Sequence, residues 1–295
     1  MANSGCAVFL LMALLVAGGA SAQRPPVAEP LEPESIASDG DDSNDKQAPV
    51  LEPDRAAEQR VAALLRNSLD DSEIVELGPE GQRFIALYRR QTLPVAKGAV
   101  VILHGVAGQP DARAVIAPLR RDFPVAGWST LAIQMPILAA GTPLSEWGGL
   151  LTAAQQRVQA AVAFLRAEQL PNIVVIGHGT GALTGLVCCG GGRIKGVAAV
   201  VAISLPSGAL LTPPHDVRQD LESLRLPFLD VYASRDVADV LSAAPERQVV
   251  LRPSVNAHRQ IVIEGADHWY TGVELRLAKL IRGWLQKILL EPASG

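Results

Sequence analysis

Cysteine is scarce, with 3 in 295 residues. Cys6 falls in a segment expected to be removed, and Cys188 and Cys189 are adjacent, which is poor geometry for a staple. A disulfide scaffold and a Cys-rich zinc module are therefore excluded. Two reduced, buried thiols or a strained vicinal disulfide remain as readings. The 5 His are scattered, with no His-x-x-x-His or Cys-x-x-Cys pair, so neither a metal nor a cofactor is expected. A basic excess is missing too: 26 Lys+Arg stand against 30 Asp+Glu, for a net charge of −4. Without a basic block or a basic-aromatic platform, no nucleic-acid partner is expected. The 26 Gly show no three-residue period, no heptads persist and no 20–50-residue repeat occurs. Collagen-like, coiled-coil and repeat classes drop out. What is present is a 48% hydrophobic content, enough for a sizeable core, on a length that allows one large domain or two small ones.

Long apolar runs are also lacking. The run Ala7 to Ala17 is far shorter than the about 20 helical residues that a bilayer requires. Gly18-Gly19 and then Ala20-Ser21-Ala22 follow, a small-x-small site that can be cut before Gln23. Residues 1–22 are read as a secretory signal peptide, although Met1 to Cys6 carries no Lys or Arg. The rival reading is an uncleaved anchor. Export, to the periplasm of a bacterium, is the expectation, with no transmembrane span in the mature chain. Residues 23–54 hold six Pro, nine acidic side chains and two basic ones, with almost no large apolar residues. Such a stretch cannot bury enough surface to offset its ordering entropy, so it is expected to be a disordered, acidic, Pro-rich linker. It is either a tether or an acidic arm for a basic partner. The remainder, 55–295, carries 24 basic and 21 acidic residues and is close to neutral.

The folded part, expected over 55–291, opens with a helical pattern after Pro53-Asp54, in which Val61, Leu64, Leu65 and Leu69 share a face. Two short runs, Ile74–Leu77 and Phe84–Tyr88, flank Gly78-Pro79-Glu80-Gly81, which reads as a hairpin turn. From Lys97 onward strands and helices alternate. Strands are expected at Val100–Leu103, Thr130–Ile133, Ile173–Ile176, Val197–Ile203, Phe228–Tyr232 and Gln260–Ile263. Helices are expected at Arg113–Arg121, Trp147–Leu170, Ala182–Cys189 and Val273–Leu289. Continuous Val/Ile runs of this kind indicate an α/β fold: a mostly parallel central sheet with helices on both faces, preceded by an antiparallel hairpin. Thr212–Leu224 reads as a crossover loop with a short helix, and is a lid candidate by position only.

Open α/β sheets place their chemistry at the carboxyl ends of the strands. His104-Gly105-Val106-Ala107-Gly108 follows the first parallel strand, and Gly177-His178-Gly179-Thr180-Gly181 follows the third. Ser234-Arg235-Asp236 and Gly265-Ala266-Asp267-His268 follow the last two. This order resembles the α/β-hydrolase superfamily over roughly Ile74 to Leu290. The resemblance implies an oxyanion turn at Gly105-Val106, a nucleophile elbow at Gly177 to Gly181, an acid at Asp236 and a base at His268. The His-Gly turn, with Ile116-Ala117-Pro118-Leu119-Arg120-Arg121 and Gly127-Trp128-Ser129-Thr130, is also similar to a bacterial family of exported hydrolase-like proteins, a domain of unknown function.

The nucleophile position departs from that pattern: it is Gly179, which has no oxygen or sulfur to attack a carbonyl. The elbow forces its central residue to positive φ, where glycine avoids about 1–3 kcal/mol of strain. Backbone N–H groups of Val106 and Thr180 remain to hold a carboxylate, phosphate or carbonyl oxygen. His104 and His178 flank these groups as further ligand-binding candidates, or they brace the turn and rim the pocket. Gly177-x-Gly179 also approaches a dinucleotide fingerprint, but no acidic residue ends the next strand, which runs into Ser204. Asp236 alternatively caps a helix starting at Val237, and His268 is alternatively a plain loop residue. Three functions follow: an inactive or non-classical hydrolase that binds a small acyl or anionic ligand or a protein partner; an active ester or amide hydrolase using Asp236-His268 with water, Thr180 or a displaced Ser; or an envelope scaffold protein.

Overall fold

In a computed structural model, residues 50–70, 73–251 and 258–291 are described. The expected signal, 1–22, and nearly all of the expected linker lie outside them. The end of that linker belongs to the folded unit. Leu51 N–H donates to Gly149 O at 2.9 Å and Asp54 N–H to Ile137 O at 2.8 Å, while Pro53 is buried. The domain thus begins a few residues before the expected position 55. Asp54 then caps helix α1 (Arg55–Ser68), its carboxylate accepting from Ala57 N–H at 2.9 Å.

Strands β1 (Ile74–Leu77) and β2 (Phe84–Arg89) form the expected antiparallel hairpin. The following strands are β3 (Gly98–Leu103), β4 (Trp128–Ile133), β5 (Ile173–His178), β6 (Val197–Ile203), β7 (Phe228–Arg235) and β8 (Arg259–Asp267). The eight strands run in the order β1-β2-β4-β3-β5-β6-β7-β8. From β4 to β8 every pairing is parallel, and β2 joins β4 antiparallel.

The period of two along each strand divides the core into two layers. On β3, Val101 and Leu103 face α3 (Leu151–Ala167) and α4 (Thr180–Cys189), packing with Val158, Leu183 and Leu186. Val100 and Ile102 point the other way, toward α2 (Ile116–Asp122) and α7 (Glu274–Leu285), among Leu119, Leu277 and Ile281. A sheet covered on both faces needs strands apolar on both faces, which is what the unbroken Val/Ile runs provide.

Three helix starts differ from the sequence expectation by two residues or more. The α2 helix starts at Ile116, three residues late, and the turn before it, with Ala112 and Ala114, lines a cavity. Leu144–Leu150 is a tighter 3-10 segment and regular helix begins at Leu151; Gly148-Gly149 are poor helix formers. The α4 helix starts at Thr180 because the elbow feeds it directly. The helix weighed as starting at Val237 is present as α6 (Ala238–Leu251), which follows β7 and carries Pro245 inside it. Thr212–Leu224 does contain a short helix, α5 (Val217–Ser223), capped by Asp216.

Candidate functional site

The order β4-β3-β5 reverses direction at β3, the switch point where α/β sheets open a crevice. The loops after β3 and β5 meet there. The elbow is sharp because its outer glycines allow backbones to touch. A Cβ on Gly177 would lie 2.2 Å from Gly181 O, and one on Gly181 would lie 2.4 Å from Leu103 O. Gly179 is different. It sits at the tip with φ 57° and ψ −124°, and a Cβ there would meet nothing within 4 Å. The tip is pinned by Gly179 N–H to Ile203 O at 2.9 Å and by Ala182 N–H to Gly179 O at 2.9 Å. The bend therefore holds open space where a side chain would begin.

On the far side of the crevice, His268 directly follows β8 and Asp236 follows β7. Their pairing is direct: His268 Nδ1 lies 2.6 Å from Asp236 Oδ1. The carboxylate is fixed by three further donors, Val237 N–H at 2.9 Å, Ala233 N–H at 3.1 Å and Ser204 Oγ–H at 2.5 Å. Burial raises the Asp236 carboxyl, but the bonds from His268, Ser204 and the two amides outweigh it and hold it below the usual carboxylate range. A charged Asp236 binds the Nδ1–H tautomer of His268, which leaves Nε2 as the basic atom.

Sequence reasoning weighed Ser204 only as a displaced nucleophile, missing its contact with Asp236, and passed over Tyr270. Ser204 is fully buried and its Oγ lies 3.1 Å from the Tyr270 hydroxyl, itself 3.3 Å from Val231 O. Both residues sit at positive φ, 53° and 56°. Strain at two buried polar residues beside a dyad was a signal only in three dimensions. The bond to Asp236 commits Ser204 to support and removes it as a displaced nucleophile.

The oxyanion turn is occupied from within. Val106 N–H donates to Thr180 Oγ1 at 2.6 Å. The hydroxyl proton of Thr180 is then available to a ligand, backed by the amide behind it. The N–H of Thr180 opens helix α4 and has no acceptor within the helix. Of the two readings of His104, the contacts match the brace: its Nδ1–H donates to Gly105 O at 2.8 Å and its Nε2 accepts from Met135 N–H at 3.0 Å. With both nitrogens committed it braces the turn, and burial pushes its pKa down to about 4. His178 is buried, donates from Nε2 to His268 O at 3.0 Å and lies with its ring 4.7 Å from that of His268. Burial, and then the neighbouring His268, push it to about 4 as well, so it is a neutral wall.

These groups surround a cavity of about 420 Å³. Gly179, Thr180 and His268 form its polar end, while Val115, Ile116, Leu210, Val240 and Trp269 are among its apolar walls. The volume lies within the range of small-molecule sites. Among the described residues no cluster of metal-ligating side chains occurs, and no helix is long and apolar enough to cross a membrane. Cys188 and Cys189 are free and buried.

Comparison with protein families gives one match, a protein of unknown function family, DUF3530, over residues 6–147 and 150–287. The chain belongs to the DUF3530 family. No curated protein matches this DUF3530 chain. Solved structures do. The esterase Pf2001 of Pyrococcus furiosus is 18% identical, with a TM-score of 0.62, covering 75% of the DUF3530 chain and 95% of its own. Est1E from Butyrivibrio proteoclasticus is 15% identical, with a TM-score of 0.59, covering 74% and 100%. Dienelactone hydrolase from Anabaena variabilis is 20% identical, with a TM-score of 0.55, covering 73% and 97%. At these identities the likeness establishes the fold alone: this DUF3530 protein has the α/β-hydrolase fold.

Proposed function

We propose that this chain is a binding protein built on a hydrolase framework, exported to the periplasm, and that it forms no acyl-enzyme. Its cavity takes a small acyl or anionic ligand, with an oxygen of the ligand at Thr180 and the apolar part against Val115, Ile116 and Leu210. One observation carries the reading: residue 179 stands at the elbow tip facing open space and offers no side chain. The committed Val106 N–H points the same way, because a catalytic oxyanion would have to displace Thr180 from it. A fluorophosphonate probe tests this. The wild-type protein stays unlabelled and Gly179→Ser becomes labelled; labelling of the wild type would mean that another nucleophile is in reach and would overturn the reading.

The intact Asp236–His268 pair favours a second reading, in which His268 Nε2 activates water directly on an ester or amide. Purified protein then cleaves short p-nitrophenyl esters and His268→Ala abolishes the activity. Equal rates for the two proteins exclude it. The exposed Trp269 at the cavity rim favours a third use of the site, as a contact for an envelope protein. Export rests on residues 7–22 and is tested by N-terminal sequencing of secreted protein, which should begin at Gln23.

A further inference from the structure

The polar end of the Gly179 cavity presents one acceptor and two donors to whatever enters it. The acceptor is His268 Nε2. Asp236 takes the Nδ1–H, and Nε2 has no partner among the described residues, on a side chain that is 21% exposed. The donors are the hydroxyl proton of Thr180, backed by Val106 N–H, and the Thr180 N–H at the start of α4. These groups flank residue 179. The ring of His268 lies 4.7 Å from that of His178, the residue before it, and Thr180 is the residue after it. At Gly179 itself a Cβ would meet nothing within 4 Å.

Charge and hydrogen-bonding capacity together narrow the ligand. Among the described residues that line the cavity there is no Lys or Arg, and Asp239 is acidic. A carboxylate would face that wall without a cation, and it has no proton to give Nε2. An ester or ketone oxygen accepts from Thr180 but also leaves Nε2 unpaired. An ammonium donates to Nε2 but accepts nothing from Thr180. A hydroxyl does both from a single atom. A primary hydroxyl also brings a methylene, which fits the room left at Gly179. Exposed Leu210, Val237 and Trp269 extend the apolar wall for the rest of the molecule. We infer that the ligand is an uncharged molecule with an apolar body, such as an acyl chain, and a primary hydroxyl. Its CH2–OH group stands where the elbow lacks a side chain, donating to His268 Nε2 and accepting from Thr180. This rests on the reading that the cavity binds a small ligand through an oxygen at Thr180. It keeps the acyl branch of that reading and sets aside the anionic one.

Three probes of one chain length test it at about pH 8, where histidine is ordinarily neutral. They are n-hexanol, hexyl methyl ether, which has no proton to donate, and hexanoate, which is charged. The readout is the nitrogen NMR signal of His268 Nε2. In the wild-type protein n-hexanol moves that signal and binds at least tenfold more tightly than the ether or hexanoate. If the ether or hexanoate binds in the cavity as tightly as n-hexanol, the inference is overturned while the ligand-binding reading beneath it stands. If no probe moves any residue of the cavity, both are overturned. His268→Phe keeps an aromatic wall and removes the acceptor, and it should bind n-hexanol no better than the ether. A preference for n-hexanol that survives in this variant overturns the inference, because the hydroxyl would then be recognised elsewhere. The wild-type titration decides the matter even if the phenylalanine variant folds poorly, since its readout is the imidazole itself.

Discussion

The three glycines of the elbow should respond to a methyl group in opposite ways. Gly179→Ala or Gly179→Ser meets no atom within 4 Å, so only backbone strain at φ 57°, ψ −124° opposes it. That strain is about 1–3 kcal/mol. For a domain of this size about 1 kcal/mol moves the melting temperature by about 2–4 °C, which gives a loss of about 2–12 °C. Gly177→Ala and Gly181→Ala place a Cβ 2.2 Å and 2.4 Å from backbone carbonyl oxygens. Neither contact is relieved by rotating a side chain, so β5, α4 or the β3 loop must move. Both variants should lose far more stability than the central one, enough to prevent folding. Urea unfolding of the three alanine variants, together with Gly179→Ser, makes the comparison. Equal losses at 179 and 181, or a gain at 179, would refute the assignment of residue 179 to the strained tip.

Three other outcomes follow from the same contacts. The folded state keeps His104 and His178 neutral down to about pH 4, whereas the unfolded chain protonates them near 6.5. The unfolded state thus binds more protons between these limits, and stability should fall as pH drops from about 6.5 toward 4, by up to about 1.4 kcal/mol per pH unit for each His; a flat urea midpoint across that window would contradict it. Ser204→Ala removes a donor from a buried carboxylate and should cost about 1.5–3 kcal/mol, with a change in the low-field proton signal of the His268–Asp236 bond. Asp230 and Arg247 form a buried pair at 2.8 Å, so Asp230→Ala leaves a buried guanidinium unbalanced and should cost about 3–5 kcal/mol by chemical denaturation.

The architecture was readable because its strands are covered on both faces. Val100–Leu103 and Ile173–Ile176 carry apolar residues without interruption, and Gly-rich turns mark the ends where the chain reverses into helices. The dyad was readable for a related reason: Asp236 and His268 sit at strand ends in the order the fold requires. What stayed hidden depends on side-chain direction. Nothing in the local pattern around Thr180 announces that its hydroxyl turns onto Val106 N–H across 74 positions of sequence. Ser204 and Tyr270 are ordinary residues until the sheet brings them beneath Asp236. Gln134 is a polar residue at the end of an apolar strand, and only burial reveals that its amide lacks a partner. The 3-10 entry to α3 was masked by a helical face that continues through Trp147 while Gly148-Gly149 loosen the backbone.

Cys188 and Cys189 close the α4 helix with side chains about 100° apart around its axis, an orientation that cannot bring the two sulfurs together. Burial raises both thiols, Cys189 to about 12, so neither supplies thiolate while the domain is folded. Folding of this pair therefore calls for no oxidant, and while the domain is folded the two thiols are shielded in either redox poise. Protection lasts only as long as the helix stays packed: an unfolding event in an oxidising medium exposes two adjacent thiols at once, and their capture by oxidation would turn a reversible opening into a one-way loss.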